Sequence, residues 1–289
     1  MMRFGFHMSI AGAVANSARS AALSGYGAFQ IFTTSSRSWK HSDIKEDDAA
    51  NFKSIVAERD ISPNAHVPYL CNPSSPNAEI RKKSLQMLIS NMRNCSALGI
   101  KEIVVHMGSH LGAGEAVGMR NLVSTVSEAI DSEGGVSILL ENSAGYTNSI
   151  GSSFKDIGAA MKEIGSTRVG LCLDTCHAFA AGYDLTSQQK TKAMFSEISE
   201  YIGIKRLKLV HLNDAKFPLS SGLDRHWHIG KGFIGKKGFI NLFSNELIRN
   251  MNIILETPVN SEGDDKSNYS ALKNILKECN LLDFIKGPA

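Results

Sequence analysis

The sequence predicts a single (β/α)8 barrel that spans residues 1–289. Eight short apolar segments, several rich in β-branched residues, alternate with helix-like segments along the chain. Almost wholly apolar strands that alternate with helices are typical of a parallel sheet covered by helices. Eight such units in 289 residues fit one closed barrel, and the main alternative is an open doubly wound sheet. The chain shows neither an internal repeat nor a Pro-rich linker, so one domain is expected.

The boundaries of these units follow from changes in composition. The third helix is expected to end at Gly99, because glycine favours the left-handed conformation of many helix ends. The fifth is expected to begin near Ser153, where Asp156 three residues later nearly completes a capping box. The strands are expected at residues 3–7, 28–33, 63–67, 102–106, 137–141, 169–174, 207–211 and 253–256. The helices are expected at residues 12–23, 47–59, 78–98, 115–130, from 153, 186–201, 237–249 and 267–279.

Composition and charge are those of an ordinary globular protein, with 43% hydrophobic and 20% charged residues. The net charge of +3 permits an anionic partner but does not require one. The start lacks the pattern of a signal peptide, and no apolar run reaches the ~20 residues of a membrane span. An odd number of scattered cysteines favours reduced thiols in a cytoplasm. We therefore expect a cytoplasmic protein, without contact to a membrane, that acts as a monomer.

The ends of the predicted strands are unusually polar. In a parallel barrel all strands end at the same mouth, so side chains that are far apart in sequence converge there. Seven of the eight strand ends are His, Asp or Glu, which makes this mouth the candidate functional site. The eight residues are His7, Thr33, His66, His106, Glu141, Asp174, His211 and Glu256.

Two further segments extend this set. The stretch LCLDTCHAFAAGYD (residues 171–184) places His177 three residues after Asp174, and the loop sequence DRHWH adds Asp224 and His226. His177, Asp224 and His226 form a His2Asp set, which leaves an open position as in catalytic zinc sites.

Several buried carboxylates among imidazoles are costly unless something neutralises them, and a divalent metal would do so. The alternative is a hydrogen-bonded network without metal. Nine candidate ligands are more than one tetrahedral ion can bind, so they indicate two or three ions. Such a cluster is suited to phosphoester hydrolysis. The candidates are His66, His106, Glu141, Asp174, His177, His211, Asp224, His226 and Glu256.

Six motifs resemble those of endonuclease IV, the apurinic/apyrimidinic endonuclease family of base-excision repair. The resemblance extends from Phe4 to about Glu256, and the stretch LCLDTCHAFAAGYD is its most specific part. The other motifs are HMGSH at 106–110, ENSAG at 141–145, HLND at 211–214, DRH at 224–226 and LET at 255–257.

The resemblance implies a (β/α)8 barrel with three zinc ions, and Mn²⁺ could replace zinc at one or more sites. It implies hydrolysis of double-stranded DNA on the 5′ side of an abasic site, which leaves a 3′-hydroxyl and a 5′-deoxyribose phosphate. Removal of blocking groups from 3′ ends is also expected. Glu141 is the implied catalytic residue, which orients the attacking hydroxide. The implied ligand sets are His66, His106 and Glu141; Glu141, Asp174, His211 and Glu256; and His177, Asp224 and His226.

Three residues are expected to contact DNA. Arg37 and Tyr69 match the family positions that enter the base stack, where a guanidinium plane or an aromatic ring can replace lost stacking. Lys231, in GKGFIGKKG, is a candidate phosphate contact near the predicted mouth. Among the departures from the family pattern, His228 could compete with His226 as a ligand of the third ion.

Two other functions remain open at this stage. A divalent-metal sugar isomerase or epimerase on a similar barrel would not need the ligand set His177, Asp224 and His226. It would not need Arg37 and Tyr69 either. A DNA-damage-binding or zinc-storage protein would keep the ligands but would have no turnover. Metal content and cleavage of an abasic duplex discriminate among these functions.

Overall fold

The computed structural model describes residues 1–261 and 263–288. Eight parallel strands form one sheet, in the order β1-β8-β7-β6-β5-β4-β3-β2. The strands are β1 (Arg3–Phe6), β2 (Ala28–Phe32), β3 (Ser62–His66), β4 (Glu102–His106), β5 (Ser137–Glu141), β6 (Val169–Asp174), β7 (Leu207–His211) and β8 (Asn252–Leu255).

The sheet closes between β1 and β2. The amide of Gly27 donates to the carbonyl of Phe4 over 3.0 Å, and the amide of Met8 donates to the carbonyl of Gln30 over 2.7 Å. Gly5 permits this approach, because a Cβ atom at that position would collide with the carbonyl oxygen of Ala28. The predicted barrel is therefore confirmed, and the open doubly wound sheet is excluded.

Helices cover the outside of the barrel. They are α1 (Val14–Leu23), α2 (Glu46–Glu58), α3 (Ala78–Leu98), α4 (Glu115–Ser132), α5 (Phe154–Ile164), α6 (Thr175–Ala181), α7 (Gln188–Glu197), α8 (Gly235–Phe243) and α9 (Asp264–Glu278). Both predicted helix signals are observed: Gly99 ends α3 with φ 74°, and the Ser153 hydroxyl accepts from the amide of Asp156 at the start of α5. In the described residues, no helix is both long and apolar enough to cross a membrane.

The core has two parts, as expected of such a barrel. A large apolar cluster lies between the sheet and the helices. A small separate cluster fills the barrel interior, with one side chain from each of six strands. Its members are Ala28, Val104, Leu139, Cys172, Leu209 and Ile254.

Four segments differ from the sequence prediction. The expected turn after β6 is the short helix α6, because the Asp174 side chain caps it by accepting from the amide of His177 over 2.7 Å. The helix expected at 186–201 ends in a π-helical turn at Ile198–Ile202, and the helix expected at 237–249 is divided into α8 and a 3₁₀ turn at Glu246–Asn250. The loop after β7 contains a two-strand antiparallel ribbon, which pairs 214–215 with 226–227.

Candidate metal centre

Glu141, at the end of β5, lies at the centre of the barrel mouth. Its Oε2 atom is 3.1 Å from Nε2 of His66 and 3.5 Å from Nδ1 of His106. Its Oε1 atom is 2.8 Å from Nδ1 of His211. The carboxylate is 1% exposed, so three imidazoles rather than water surround it. The ends of β3, β4, β5 and β7 therefore converge on one carboxylate, as the sequence predicts.

A second group joins Glu141 to the ends of β6 and β8. The ligand atoms of Glu141, Asp174, His211 and Glu256 lie within 4.8 Å of one another. His211 Nδ1 is 3.2 Å from Oε2 of Glu256. Glu141 thus belongs both to this group and to the group with His66 and His106.

The third group surrounds the first turn of α6. His177 Nε2 is 3.1 Å from Oδ1 of Asp224, and His226 Nε2 is 3.5 Å from the same oxygen. His226 Nε2 is also 3.5 Å from Oδ2 of Asp174, and Asp174, His177 and His226 form a compact set within 4.8 Å. The structure therefore brings the three predicted residues together and adds Asp174 to them. Asp174 lies between the second and third groups.

Three site histidines donate a hydrogen bond from Nδ1 to a backbone carbonyl. A carbonyl oxygen can only accept, so each Nδ1 carries the proton and the neutral ring has its lone pair on Nε2. The pairs are His66 with Val67 O at 2.7 Å, His177 with Asn142 O at 2.9 Å, and His226 with Glu256 O at 3.1 Å.

Gln30 fixes the fourth ring, that of His211. The Gln30 amide donates to Oε1 of Glu256 over 2.7 Å, which identifies its other atom as the acceptor for Nε2 of His211 at 2.9 Å. The lone pair of a neutral His211 is then on Nδ1, which faces Glu141 and Glu256. Such outer contacts orient histidine ligands in metal sites.

These orientations direct nitrogen lone pairs at carboxylate oxygens. Two lone pairs repel each other unless a proton or a cation lies between them. The Nε2 atoms of His177 and His226 are buried and have no hydrogen-bond partner in residues 1–261 and 263–288. Although burial opposes it, the neighbouring Asp174 and Asp224 carboxylates raise the pKa of His177 well above its usual value. The site therefore attracts positive charge, and its nitrogen and oxygen donors fit zinc.

At His106, on the rim of the site, burial outweighs the attraction of the neighbouring carboxylates. It lowers the pKa of His106 to about 4, so this ring is neutral at pH 7 and can act as a ligand. Cys172 also lies within 4.8 Å of Glu141 and His211, but burial raises the pKa of its thiol to about 12. A protonated thiol is a poor ligand, so Cys172 is best explained as a buried core residue.

Three polar residues that hold Asp174 and Glu256 in place are not among the predicted site residues. Asn213 donates to Oδ2 of Asp174 over 2.7 Å and accepts from the amide of Glu256 over 2.8 Å. Asn142 pairs with the backbone of Asp174 through both of its amide atoms. Both asparagines lie close after strand ends, so their position in the sequence could have identified them as site residues. Gln30 lies inside β2, where nothing in the sequence indicates a role at the site.

The residues expected to contact DNA are solvent-exposed. Tyr69 is 66% exposed, and its ring lies 6.0 Å from that of His66 and 5.7 Å from that of His106. Arg37 and Lys231 are exposed on loops. A cavity of about 220 Å³ beside the metal ligands is lined by Tyr69, Asn72, His106, Ser143, Tyr146 and Asp224, among others.

His228, which could have competed with His226, is directed elsewhere. Its Nδ1 atom accepts from the Asn268 side chain of α9 at 3.2 Å. It belongs to none of the candidate metal groups in the described residues. His7, by contrast, contacts the centre indirectly, since its Nδ1 atom is 3.3 Å from the Gln30 amide nitrogen.

A closed barrel with a histidine–carboxylate cluster at the carboxyl ends of its strands defines a metal-binding enzyme of the TIM-barrel class. The family model described as a xylose isomerase-like TIM barrel matches residues 18–279. The chain belongs to the endonuclease IV family of nucleases, as its relatives show. It is 44% identical to the probable endonuclease 4 of Nitrosopumilus maritimus, over 94% of this chain and 99% of that protein. It is 34% identical to the probable endonuclease 4 of Aquifex aeolicus, over 97% of this chain and 100% of that protein.

Solved structures agree with this assignment. Endonuclease IV from Thermus thermophilus superposes with a TM-score of 0.86 at 30% identity, over 96% of this chain and 99% of that one. A D-tagatose 3-epimerase-like protein superposes with a TM-score of 0.75 at 21% identity, over 96% of this chain and 98% of that one. The second likeness is one of fold alone.

Proposed function

We propose that the protein is a zinc-dependent abasic-site endonuclease of DNA base-excision repair. It would hydrolyse the phosphodiester 5′ to an abasic site in double-stranded DNA, leaving a 3′-hydroxyl and a 5′-deoxyribose phosphate. The observation that carries the proposal is the set of three ligand groups joined by shared carboxylates, in which the oriented histidine lone pairs face the interior. Membership of the endonuclease IV family supports the reaction type.

The three groups suit three zinc ions. His66, His106 and Glu141 would hold the first, and His211, Glu256, Asp174 and Glu141 would hold the second. The third would be held by His177, His226 and Asp224, with Asp174 at contact distance from His226. When bound, zinc supplies positive charge and Lewis acidity at the phosphate. Mn²⁺ prefers similar oxygen-rich surroundings and could replace zinc in the carboxylate-rich second group.

The chain's own residues would perform the remaining tasks. Glu141, buried between His66 and His211, is placed to orient a water molecule for attack on the phosphorus and to accept its proton. Gln30 holds the Glu256 carboxylate and Asn213 holds that of Asp174 in fixed positions. A site so preorganised needs little rearrangement as charge develops in the transition state.

The DNA would lie across the mouth. Tyr69 projects an exposed ring beside the first ligand group and can stack on a base next to the lesion. Arg37 would enter the stack from a neighbouring loop, and Lys231 would contact a phosphate. The same site would accept 3′-blocked ends, which present a phosphodiester or phosphate in a similar position.

The test uses purified protein loaded with zinc and a duplex that contains one tetrahydrofuran analogue of an abasic site. We expect a single cut 5′ to the analogue and a 3′ end that a DNA polymerase can extend. A matched intact duplex should remain uncut. No cutting of the abasic duplex would refute the proposal, whereas one metal ion per chain together with sugar epimerisation would support an epimerase instead.

A further inference from the structure

A second cavity lies next to the metal centre, over the ends of β1, β2 and β8. Its volume is about 240 Å³, and it opens beside the exposed side chains of Tyr69 and Val259. Since a water molecule occupies about 30 Å³ of liquid, the cavity is far larger than one or two structural waters require. It shares two wall residues with the metal centre region, Tyr69 and Glu256.

The walls of this cavity combine aromatic rings with polar groups. Phe6, Phe32 and Tyr69 supply the rings, and the centroids of Phe32 and Tyr69 are 5.5 Å apart in an edge-to-face arrangement. His7 and Thr257 supply polar atoms, and Asp265 supplies a carboxylate. Flat apolar walls with a few polar groups suit a planar heterocycle that carries hydrogen-bond donors and acceptors.

Two of these polar groups lack partners. The hydroxyl oxygen of Thr257 and Oδ1 of Asp265 are buried and accept or donate no hydrogen bond within residues 1–261 and 263–288. Thr257 is 6% exposed. Buried polar atoms without partners are rare and costly, and a bound ligand is one of the few things that explain a pair of them at one cavity.

His7 links the cavity to the metal ligands. The amide nitrogen of Gln30 is 3.3 Å from Nδ1 of His7 and donates to Glu256, while its oxygen accepts from His211. Because His7 Nδ1 accepts, its ring proton is on Nε2 in the neutral form. His7 itself is therefore two hydrogen bonds away from both Glu256 and His211, through Gln30.

We propose that this cavity is a nucleobase subsite, which binds a base of the cleaved DNA strand adjacent to the scissile phosphate. The inference rests on the proposed function, which identifies the bound molecule as a DNA strand. A base seated here would stack on one of the Tyr69 and Phe32 rings, which are inclined by 71° to each other, and would hydrogen-bond to Thr257, Asp265 or His7. The protein would then discriminate among bases at one position that flanks the abasic residue.

The test is a panel of abasic duplexes in which only the 5′ or only the 3′ flanking base pair varies. Affinity is measured by fluorescence anisotropy with the zinc-loaded Glu141→Gln protein, and incision is measured with the protein that retains Glu141. At one of the two flanking positions, we expect the protein's affinities for the four duplexes to span about fivefold or more from weakest to tightest. One hydrogen bond makes a difference of this size. Thr257→Val, which removes the hydroxyl at nearly constant volume, should reduce that span below about twofold.

Two further variants complete the design. Asp265→Asn replaces an acceptor with a donor and an acceptor, so it should change which base is preferred. Thr167→Val alters an exposed threonine on the loop between α5 and β6, and it should leave the span unchanged. Thr257→Val should also raise Tm in the absence of DNA, because it removes an unpartnered buried hydroxyl.

The outcomes separate the two proposals. Equal affinities at both flanking positions, or a span that Thr257→Val leaves unchanged, would overturn the subsite. A base preference in binding without any incision would support the subsite and refute the proposed reaction. A preference lost equally in Thr167→Val would also overturn the subsite, because the effect would then not belong to this cavity.

Discussion

Nδ1 of His211 lies 2.8 Å from Oε1 of Glu141, and both side chains are at most 1% exposed. The contact joins the end of β7 to the end of β5, although 70 residues separate the two in sequence. At this distance the two atoms can share a proton when no metal is bound, and both can bind the same cation when a metal is present. The role proposed for Glu141 rests on this contact and on the matching one to His66.

The first prediction concerns Glu141. Glu141→Gln keeps the size of the side chain but removes its charge and its capacity to accept a proton. Incision of the tetrahydrofuran duplex should fall by at least about 100-fold, the usual contribution of a general base. DNA affinity measured by anisotropy should remain within a few-fold. Glu128→Gln, an exposed change on α4, is the matched control, and equal rates in the Glu141 and Glu128 variants would contradict the assigned role.

The second prediction concerns metal content. Purified protein should contain close to three zinc ions per chain by mass spectrometry of the metals. Because ions that bind only the folded state stabilise it, chelation should lower Tm by at least about 5 °C, and added zinc should restore it. An unchanged Tm after complete removal of metal would contradict a role of the cluster in holding strand ends together.

The third prediction concerns Gln30, which holds His211 and Glu256 together. Gln30→Met preserves the length of the side chain but removes both hydrogen bonds. Loss of such an outer contact typically costs about 10- to 100-fold in metal affinity or activity, so zinc affinity should fall by that amount. Competition with a chromogenic chelator measures it directly. Gln86→Met, on the exposed face of α3, should have no effect; zinc binding that is equally tight in both variants would refute the positioning role of Gln30.

The fourth prediction concerns Asp214, a fully buried residue in the first strand of the ribbon. It accepts hydrogen bonds from the amides of Ala215, Gly232, Ile234 and Gly235 at 2.8–3.2 Å. Asp214→Asn replaces one accepting oxygen with a donor that faces amide donors, and should destabilise the fold by about 1–3 kcal/mol. Because the same loop carries Lys231, DNA affinity should fall as well. Urea unfolding and anisotropy check both effects, with the exposed Asp131→Asn as control; intact stability in Asp214→Asn would be inconsistent with this anchor.

The fifth prediction concerns the cysteines. Burial raises the pKa of Cys71 and of Cys172 to about 12, so neither forms an appreciable amount of thiolate at neutral pH. Cys279 is the partly exposed one of the five. Iodoacetamide should therefore modify Cys279 alone in the folded protein and all five cysteines after denaturation. Mass spectrometry of peptides checks this, and rapid labelling of Cys172 in the zinc-loaded protein would contradict its burial.

Much of the fold and of the site could be predicted because both depend on regular features. The bounds of β4, β5, β6 and β7 agree with the sequence prediction, since each is a mainly apolar segment that ends at a charged or imidazole residue. The same regularity identified His106, Glu141 and His211 as convergent. The helix α6 could not be found by periodicity, because seven residues are too few to establish a helical pattern.

Other features depend on three-dimensional neighbours that no local pattern encodes. Asp174 stands between two ligand groups because α6 turns His177 back over the end of β6. Gln30 reads as an ordinary strand residue, and only barrel closure brings it to His211 and Glu256. The ring orientations of His177 and His226 likewise depend on carbonyls of residues that are distant in sequence, Asn142 and Glu256.

The position of β8 between β1 and β7 has a consequence for the timing of activity during synthesis. A chain that has been made only as far as residue 250 contains all of the proposed ligands except Glu256, and it also lacks the carbonyl that orients His226. Its sheet has a gap between the first and seventh strands, so the strand ends are not yet held around one mouth. A growing chain on the ribosome therefore cannot assemble the full proposed cluster until β8 has been made and has paired with β1 and β7.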